Sequence, residues 1–211
     1  MRIAKVLIGA VLLGGGAVYG GPLLNGSFDT TTGGGTGIGA AEGWLDTDTV
    51  FTYSRCLTSN CGTAGGTTGP MTGPAWIWFG GDPAAQTAVL QQTGVTLSLS
   101  DTAVNFNLWM GNFADPSATL RFGIDGTNLF TVTSANAASY AAYTLVTVGL
   151  GVFADGGNHT LRFDYSDGGL GTANFSLDNV ALSSTSLAPE PSTLALTGLG
   201  LVALGWSRRK R

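Results

Sequence analysis

Lysine is missing from residue 6 to residue 209 of this 211-residue chain; its two lysines, Lys5 and Lys210, stand near the ends. Glutamate occurs twice, as Glu42 and Glu190, and histidine once, as His159. The long-chained helix formers are therefore nearly absent from the interior, which excludes a domain built of exposed helices. Between residues 21 and 187 three arginines (Arg55, Arg121 and Arg162) stand against twelve carboxylates, a net charge of −9. Such a surface repels phosphate backbones and excludes nucleic acid as a partner. Three catalytic motifs are also absent: the Gly-x-Ser-x-Gly elbow, the His-Glu-x-x-His helix and the Walker loop.

The missing cations have gone to the termini. Arg2 and Lys5 precede an apolar run over residues 6–18, and Val18-Tyr19-Gly20 offers small or tolerated residues at the cleavage positions. This is the layout of a secretory signal peptide, cleaved after Gly20 and exported through the Sec translocon. Residues 1–20 are thus excluded from the fold. At the other end Pro189-Glu190-Pro191-Ser192 precedes an uncharged apolar run over residues 193–206, and Arg208, Arg209, Lys210 and Arg211 close the chain. That run spans roughly 21 Å as a helix, short of the ~20 residues of a comfortable membrane span. Its four terminal cations favour a cytoplasmic end.

The three-part pattern of residues 188–211 resembles the PEP-CTERM sorting signal of Gram-negative bacteria that make extracellular polysaccharide. The resemblance implies recognition of the Pro189-Glu190-Pro191 box by the membrane protease exosortase, cleavage near it, and residence at the cell envelope, the outer surface or the extracellular matrix. Contact with the membrane is then confined to the tail before processing.

Residues 21–187 read as one domain. Alternation of period two recurs through Val104, Phe106, Leu108 and Met110, through Leu120, Phe122 and Ile124, and through Leu161, Phe163 and Tyr165. Asp125-Gly126 gives a hairpin turn into residues 129–132, and residues 155–158 give a second turn. Val89-Leu90 and Val95-Leu97-Leu99 read as two strands broken at Gly94. The sum is eight to ten antiparallel strands, an all-β two-sheet sandwich. Residues 30–43 and 61–74 are rich in Gly and Thr and are expected to be loops that bury little surface.

A second resemblance covers nearly all of this segment. Leu24-Asn25-Gly26-Ser27-Phe28-Asp29 with Gly43-Trp44 is similar to the opening of carbohydrate-binding-module jelly rolls of the galactose-binding-like fold. Residues 175–182 resemble their closing strand, and Val89-Leu90-Gln91-Gln92, Phe106-Asn107-Leu108-Trp109 and residues 120–126 fall between in the expected order. The resemblance implies a structural calcium where first and last strands meet, held by Asp29 and Asp178, although Asp29 stands where Glu is the commoner residue. It implies Trp44 in the core.

Candidate chemistry is sparse. Trp76 and Trp78 share one side of a strand, and Trp109 is out of phase with Phe106 and Leu108; all three are candidates for stacking on neutral extracellular polysaccharide or for filling the core. Asp46 and Asp48 would share a strand face, the arrangement a glycan hydrolase would need. Acids beside Gly-rich turns more often serve the turn itself. His159 begins a strand after a turn and reads as structural. Cys56 and Cys61 fit a disulfide closing a small loop or a metal site; export favours the disulfide. The chain therefore reads as an exported non-catalytic sandwich protein, with a secreted hydrolase as the alternative.

Overall fold

The computed structural model describes residues 22–185, apart from residue 33 and the segments 35–38, 62–67 and 112–113. The signal peptide, Pro189-Glu190-Pro191 and the basic tail lie outside the described residues. Ten strands form two five-stranded antiparallel sheets. One sheet runs β1 (Leu45–Asp48), β4 (Thr87–Thr96), β9 (Asn158–Ser166), β6 (Thr119–Ile124) and β7 (Thr127–Thr133). The other runs β2 (Arg55–Leu57), β3 (Ala75–Gly80), β10 (Asn174–Ser184), β5 (Asp101–Gly111) and β8 (Thr144–Gly149). We call them the first and the second sheet. A four-residue helix, α1 (Thr58–Cys61), follows β2.

The alternating apolar residues meet between the sheets. Phe106 of the second sheet lies edge-on to Phe163 of the first at 5.2 Å between ring centroids, and Phe122 packs on Phe163 at 4.8 Å. Such pairs add about 1 kcal/mol each beyond burial. Trp44 continues this stack to Phe28, and its indole N–H donates to the carbonyls of Leu24 and Asn25. It is a core residue, 4% exposed.

The opening and closing motifs are physically joined. Val180 N donates to Gly26 O at 2.8 Å. A Cβ on Gly26 would collide with the carbonyl oxygen of Val180, so the close approach requires glycine there. Asn179 beside it takes φ +54, and the β10–β5 register shifts between Asp178 and Ala181. This bulge moves the buried phase of β10 from Leu177 to Val180.

Two expectations need correction. Residues 87–96 are one strand, not two: β4 pairs with β9 on both sides of Gly94, which sits at φ +71 in a bulge between Gln92 and Val95. Glycine there marks a local kink instead of a turn. Leu99 falls beyond the strand and is 81% exposed. The Gly/Thr-rich stretches also do more than loop. Thr31 bridges to Ala41, which is fully buried, and residues 68–74 lie across the outer side of the second sheet.

Candidate functional site

Beneath that crossing segment, β10 is buried on both sides. Phe175 and Leu177 face the core, while Asn174, Ser176 and Asp178 face outward yet have no solvent exposure. The crossing is pinned at three points: Met71 N and Thr72 N donate to Asp178 Oδ2 at 2.8 and 3.1 Å, and the Tyr143 hydroxyl donates to Gly69 O at 2.7 Å. Asn179 N satisfies Asp178 Oδ1. Burial and the nearby Asp29 charge push the Asp178 carboxyl up to about 6 despite the three N–H donors.

The three candidate tryptophans share this outer face but not one environment. Trp76 is fully buried and has no solvent-facing ring. Its neighbour across the β2 edge is Cys56, and Cys56 and Cys61 are joined in a disulfide that closes the turn of α1 over this edge. Trp78 and Trp109 are half-buried. Both are register partners of Ser176, so they flank β10 in one cross-strand row. Their strands are two spacings apart, roughly 9.6 Å.

Each ring is laid against a glycine. A Cβ on Gly81 would meet the six-membered ring of Trp78, and one on Gly111 would collide with that of Trp109. Both indole N–H groups are used internally: Trp78 Nε1 donates to Asn174 Oδ1 at 2.8 Å, and Trp109 Nε1 to Ala141 O at 3.1 Å. What remains for a ligand is the aromatic face, the part that stacks on apolar surfaces.

The donor set does not fit the calcium that the resemblance implies. Among the described residues no group of three or more His, Cys, Asp and Glu side chains is gathered to hold a metal. The backbone oxygens at the first strand end are already engaged by a protein cation: Arg55 Nε donates to Phe28 O at 2.6 Å and Nη2 to Asp29 O at 3.0 Å. Asp29 Oδ1 accepts from Ala75 N at 3.4 Å, and Asp178 accepts from the three N–H groups above. A hard cation needs six to eight oxygens. Here a guanidinium, 6% exposed, lies among them instead.

Asp46 and Asp48 do share a strand and a side, but their oxygens are engaged. Asp46 accepts from Ser54 N at 2.9 Å and Arg55 N at 3.1 Å; Asp48 accepts from Val50 N, Phe51 N and the Gln86 amide. Burial raises the Asp46 carboxyl, and the two N–H groups oppose it. Both acids anchor the turn into β2. His159 is clamped as well, with Nδ1 2.7 Å from Asp125 Oδ2 and Nε2 3.0 Å from Asp155 Oδ1. Burial works against its charge, but the two carboxylates outweigh that and raise its pKa above the ordinary 6.5.

Residues 187–210 match the PEP-CTERM protein-sorting motif. The chain carries an exosortase sorting signal. That signal directs export and sorting to the cell surface, with processing by exosortase. No curated protein matches the chain in sequence.

Among solved structures, the carbohydrate-binding module TmCBM61, crystallised with β-1,4-galactotriose, is similar at TM-score 0.50 and 10% identity, covering 77% of this chain and 97% of that one. A module specific for non-crystalline cellulose matches at 0.44 and 12%, covering 79% and 97%. A Stig cyclase from Fischerella sp. TAU matches at 0.49 and 15%, covering 78% and 96%. The likeness to TmCBM61 establishes the two-sheet sandwich of carbohydrate-binding modules as the fold. A fold by itself does not choose between binding and catalysis.

Sequence reasoning offered Trp76, Trp78 and Trp109 alike as stacking or core residues; it missed that Trp76 is fully buried and that β10 brings the other two into one row. It also missed Arg55, which no motif singles out. The one available signal was that Arg55 sits next to Cys56 in a segment nearly devoid of cations.

Proposed function

We propose that this is an exported, non-catalytic sandwich protein, processed by exosortase and retained at the envelope or in the extracellular polysaccharide matrix, where it binds neutral glycan weakly. The observation that carries the binding is the row formed by Trp78 and Trp109 on either side of β10. Two indoles packed against glycines, with their N–H groups spent, offer apolar faces and little else. Sugar rings present such apolar C–H surfaces, and no catalytic base is seen beside the two rings among the described residues. Weak sites suit a matrix component, because avidity along a polymer multiplies them.

Electrophoresis of the exported protein in gels cast with β-1,4-galactan or amorphous cellulose tests the binding. Retardation that disappears in Trp78→Ala or Trp109→Ala is the expected result. Equal mobility with and without each polysaccharide overturns glycan binding and leaves a sorted structural domain. The sorting half is tested separately by expressing the full chain with and without exosortase. Retention of Arg208 to Arg211 in both hosts overturns it.

A further inference from the structure

The outer face of the first sheet carries a cleft of about 510 Å³ that the reading above does not use. Gln91, Arg121, Asn128, Arg162 and Asp164 line it, with Gly123 between them. Gly123 pairs with Arg162 on β9 and contributes no side chain, which leaves the depression. It must be glycine: at the bulge after Phe122 a Cβ would stand 2.5 Å from Thr127 O.

The formal charges of the lining balance, Arg121 and Arg162 against Asp125 and Asp164, but the pairing is uneven. Arg162 chelates Asp164, with Nε 2.7 and 2.8 Å from the two carboxylate oxygens, and its Nη1 reaches Gln91 Oε1 at 3.3 Å. Asp125, the other acid of the cleft, is taken by His159 and by Thr160 N. Both carboxylates are thereby engaged from within, Asp125 sharing His159 with Asp155. Arg121 stands directly opposite Asp164 in the β6–β9 register, exposed, and makes no hydrogen bond or ion pair with a described residue. Of the three arginines between residues 21 and 187, Arg55 is buried against carbonyls and Arg162 is spent on Asp164. Arg121 is the unspent one, in a segment of net charge −9.

We propose that this cleft binds the carboxylate of an acidic sugar unit, such as a uronic acid residue of a polysaccharide. A planar carboxylate matches the guanidinium fork of Arg121 bidentately. The amides of Gln91 and Asn128 and the hydroxyls of Thr127 and Thr160 lie around the same depression and suit sugar hydroxyls. The site is on the opposite sheet from Trp78 and Trp109, so it stands or falls independently of the neutral-glycan reading. The surrounding acids limit its affinity and make binding weaken as salt rises only modestly, because one ion pair is formed.

Titrating ¹⁵N-labelled exported protein with trigalacturonate, and with a neutral trisaccharide as control, tests this. Trigalacturonate is expected to shift the amides of Gly123, Thr127, Asn128 and Thr160. Arg121→Gln should weaken binding at least tenfold, Arg121→Lys should lose less, and Trp109→Ala should change nothing. Arg121 has no partner to lose among the described residues, so the melting temperature is expected to stay unchanged and folding does not confound the result. The proposal is overturned if those amides do not move, if the neutral trisaccharide moves them equally, or if Arg121→Gln binds as before. It is also overturned if inorganic phosphate or sulfate displaces trigalacturonate at equal concentration, which would make the cleft a general anion site.

Discussion

The two sheets are alike in strand number, direction and inner face, and they differ in what lies on their backs. The second sheet is roofed: Trp76, Ser176 and Asp178 point away from the core and are still fully buried. The first sheet is bare, and Arg121, Arg162 and Asp164 meet solvent. Strand alternation sets which side chains point outward, but the segment crossing the sheet decides whether outward means exposed. The bare back keeps polar side chains available to a ligand; the roofed back has become a second small core and leaves only Trp78 and Trp109 at its margin.

The sharpest way to break this comparison is to empty the roofed side. Trp76→Ala should cost about 4 kcal/mol by the usual scale of large-to-small core substitutions, read from urea denaturation. Arg121→Ala on the bare side should stay within about 0.5 kcal/mol. Trp76→Phe should cost much less, because the Trp76 indole N–H is buried without a described partner and Phe removes that group. Equal costs for Trp76→Ala and Arg121→Ala would mean that the roof is not part of the fold.

Arg55 comes next. Arg55→Met should destabilise by about 3 kcal/mol, since it leaves the carbonyls of Phe28 and Asp29 and the neighbouring acids without their cation. Adding calcium or EDTA should leave the wild-type melting temperature unchanged. A calcium-dependent rise in the wild type would show that a metal, after all, shares these oxygens.

The pH dependence separates the faces again, with both contributions of one sign. Asp178, under the roof, has its carboxyl raised from 3.8 to about 6. The folded state therefore holds a proton there that the unfolded chain has lost, so this contribution is full below pH 3.8 and is lost as pH rises through about 6. His159, on the first sheet, is raised above 6.5, so its contribution is full below 6.5 and disappears as pH passes its folded value. The melting temperature should fall from pH 5 to pH 8. Asp178→Asn should flatten the lower part of that fall and His159→Gln the upper part. A profile that rises from pH 5 to pH 8 in the wild type would refute both assignments.

A more local effect belongs to the bridge between Cys56 and Cys61, which encloses only a few residues. Its reduction should cost about 2 kcal/mol on the loop-entropy scale, and the domain should stay folded by circular dichroism. Limited proteolysis should then cut within residues 54–74 before any site on the first sheet.

Much of the sandwich was legible because its long central strands alternate cleanly: β5, β6 and β9 announce themselves through Phe106, Phe122 and Phe163. The short edge strands were not. β1 and β2 hold four and three residues, too few for a period to register. Gly94 looked like a turn because sequence alone does not show that β4 resumes its pairing beyond it. The sites were less legible still. Trp76 and Trp78 are two apart and face one way, yet the first is fully buried and the second only half-buried, a difference that sequence spacing does not carry. The Arg121 cleft needs the β6–β9 register, which brings together residues 43 positions apart. No motif announces that Arg55 reaches the carbonyls of Phe28 and Asp29.

Strand β10 also sets a stand-off. It starts at Asn174, beside Gly80 and Gly111 at the tryptophan margin, and runs to Ser184, where the described chain leaves next to Ser100 and Asp101. From Ser176 to Ser184 an extended strand covers roughly 26 Å. The described chain thus leaves the domain at the far pole from Trp78 and Trp109. Whatever is changed beyond residue 185 is therefore joined to the domain a full strand length from those rings.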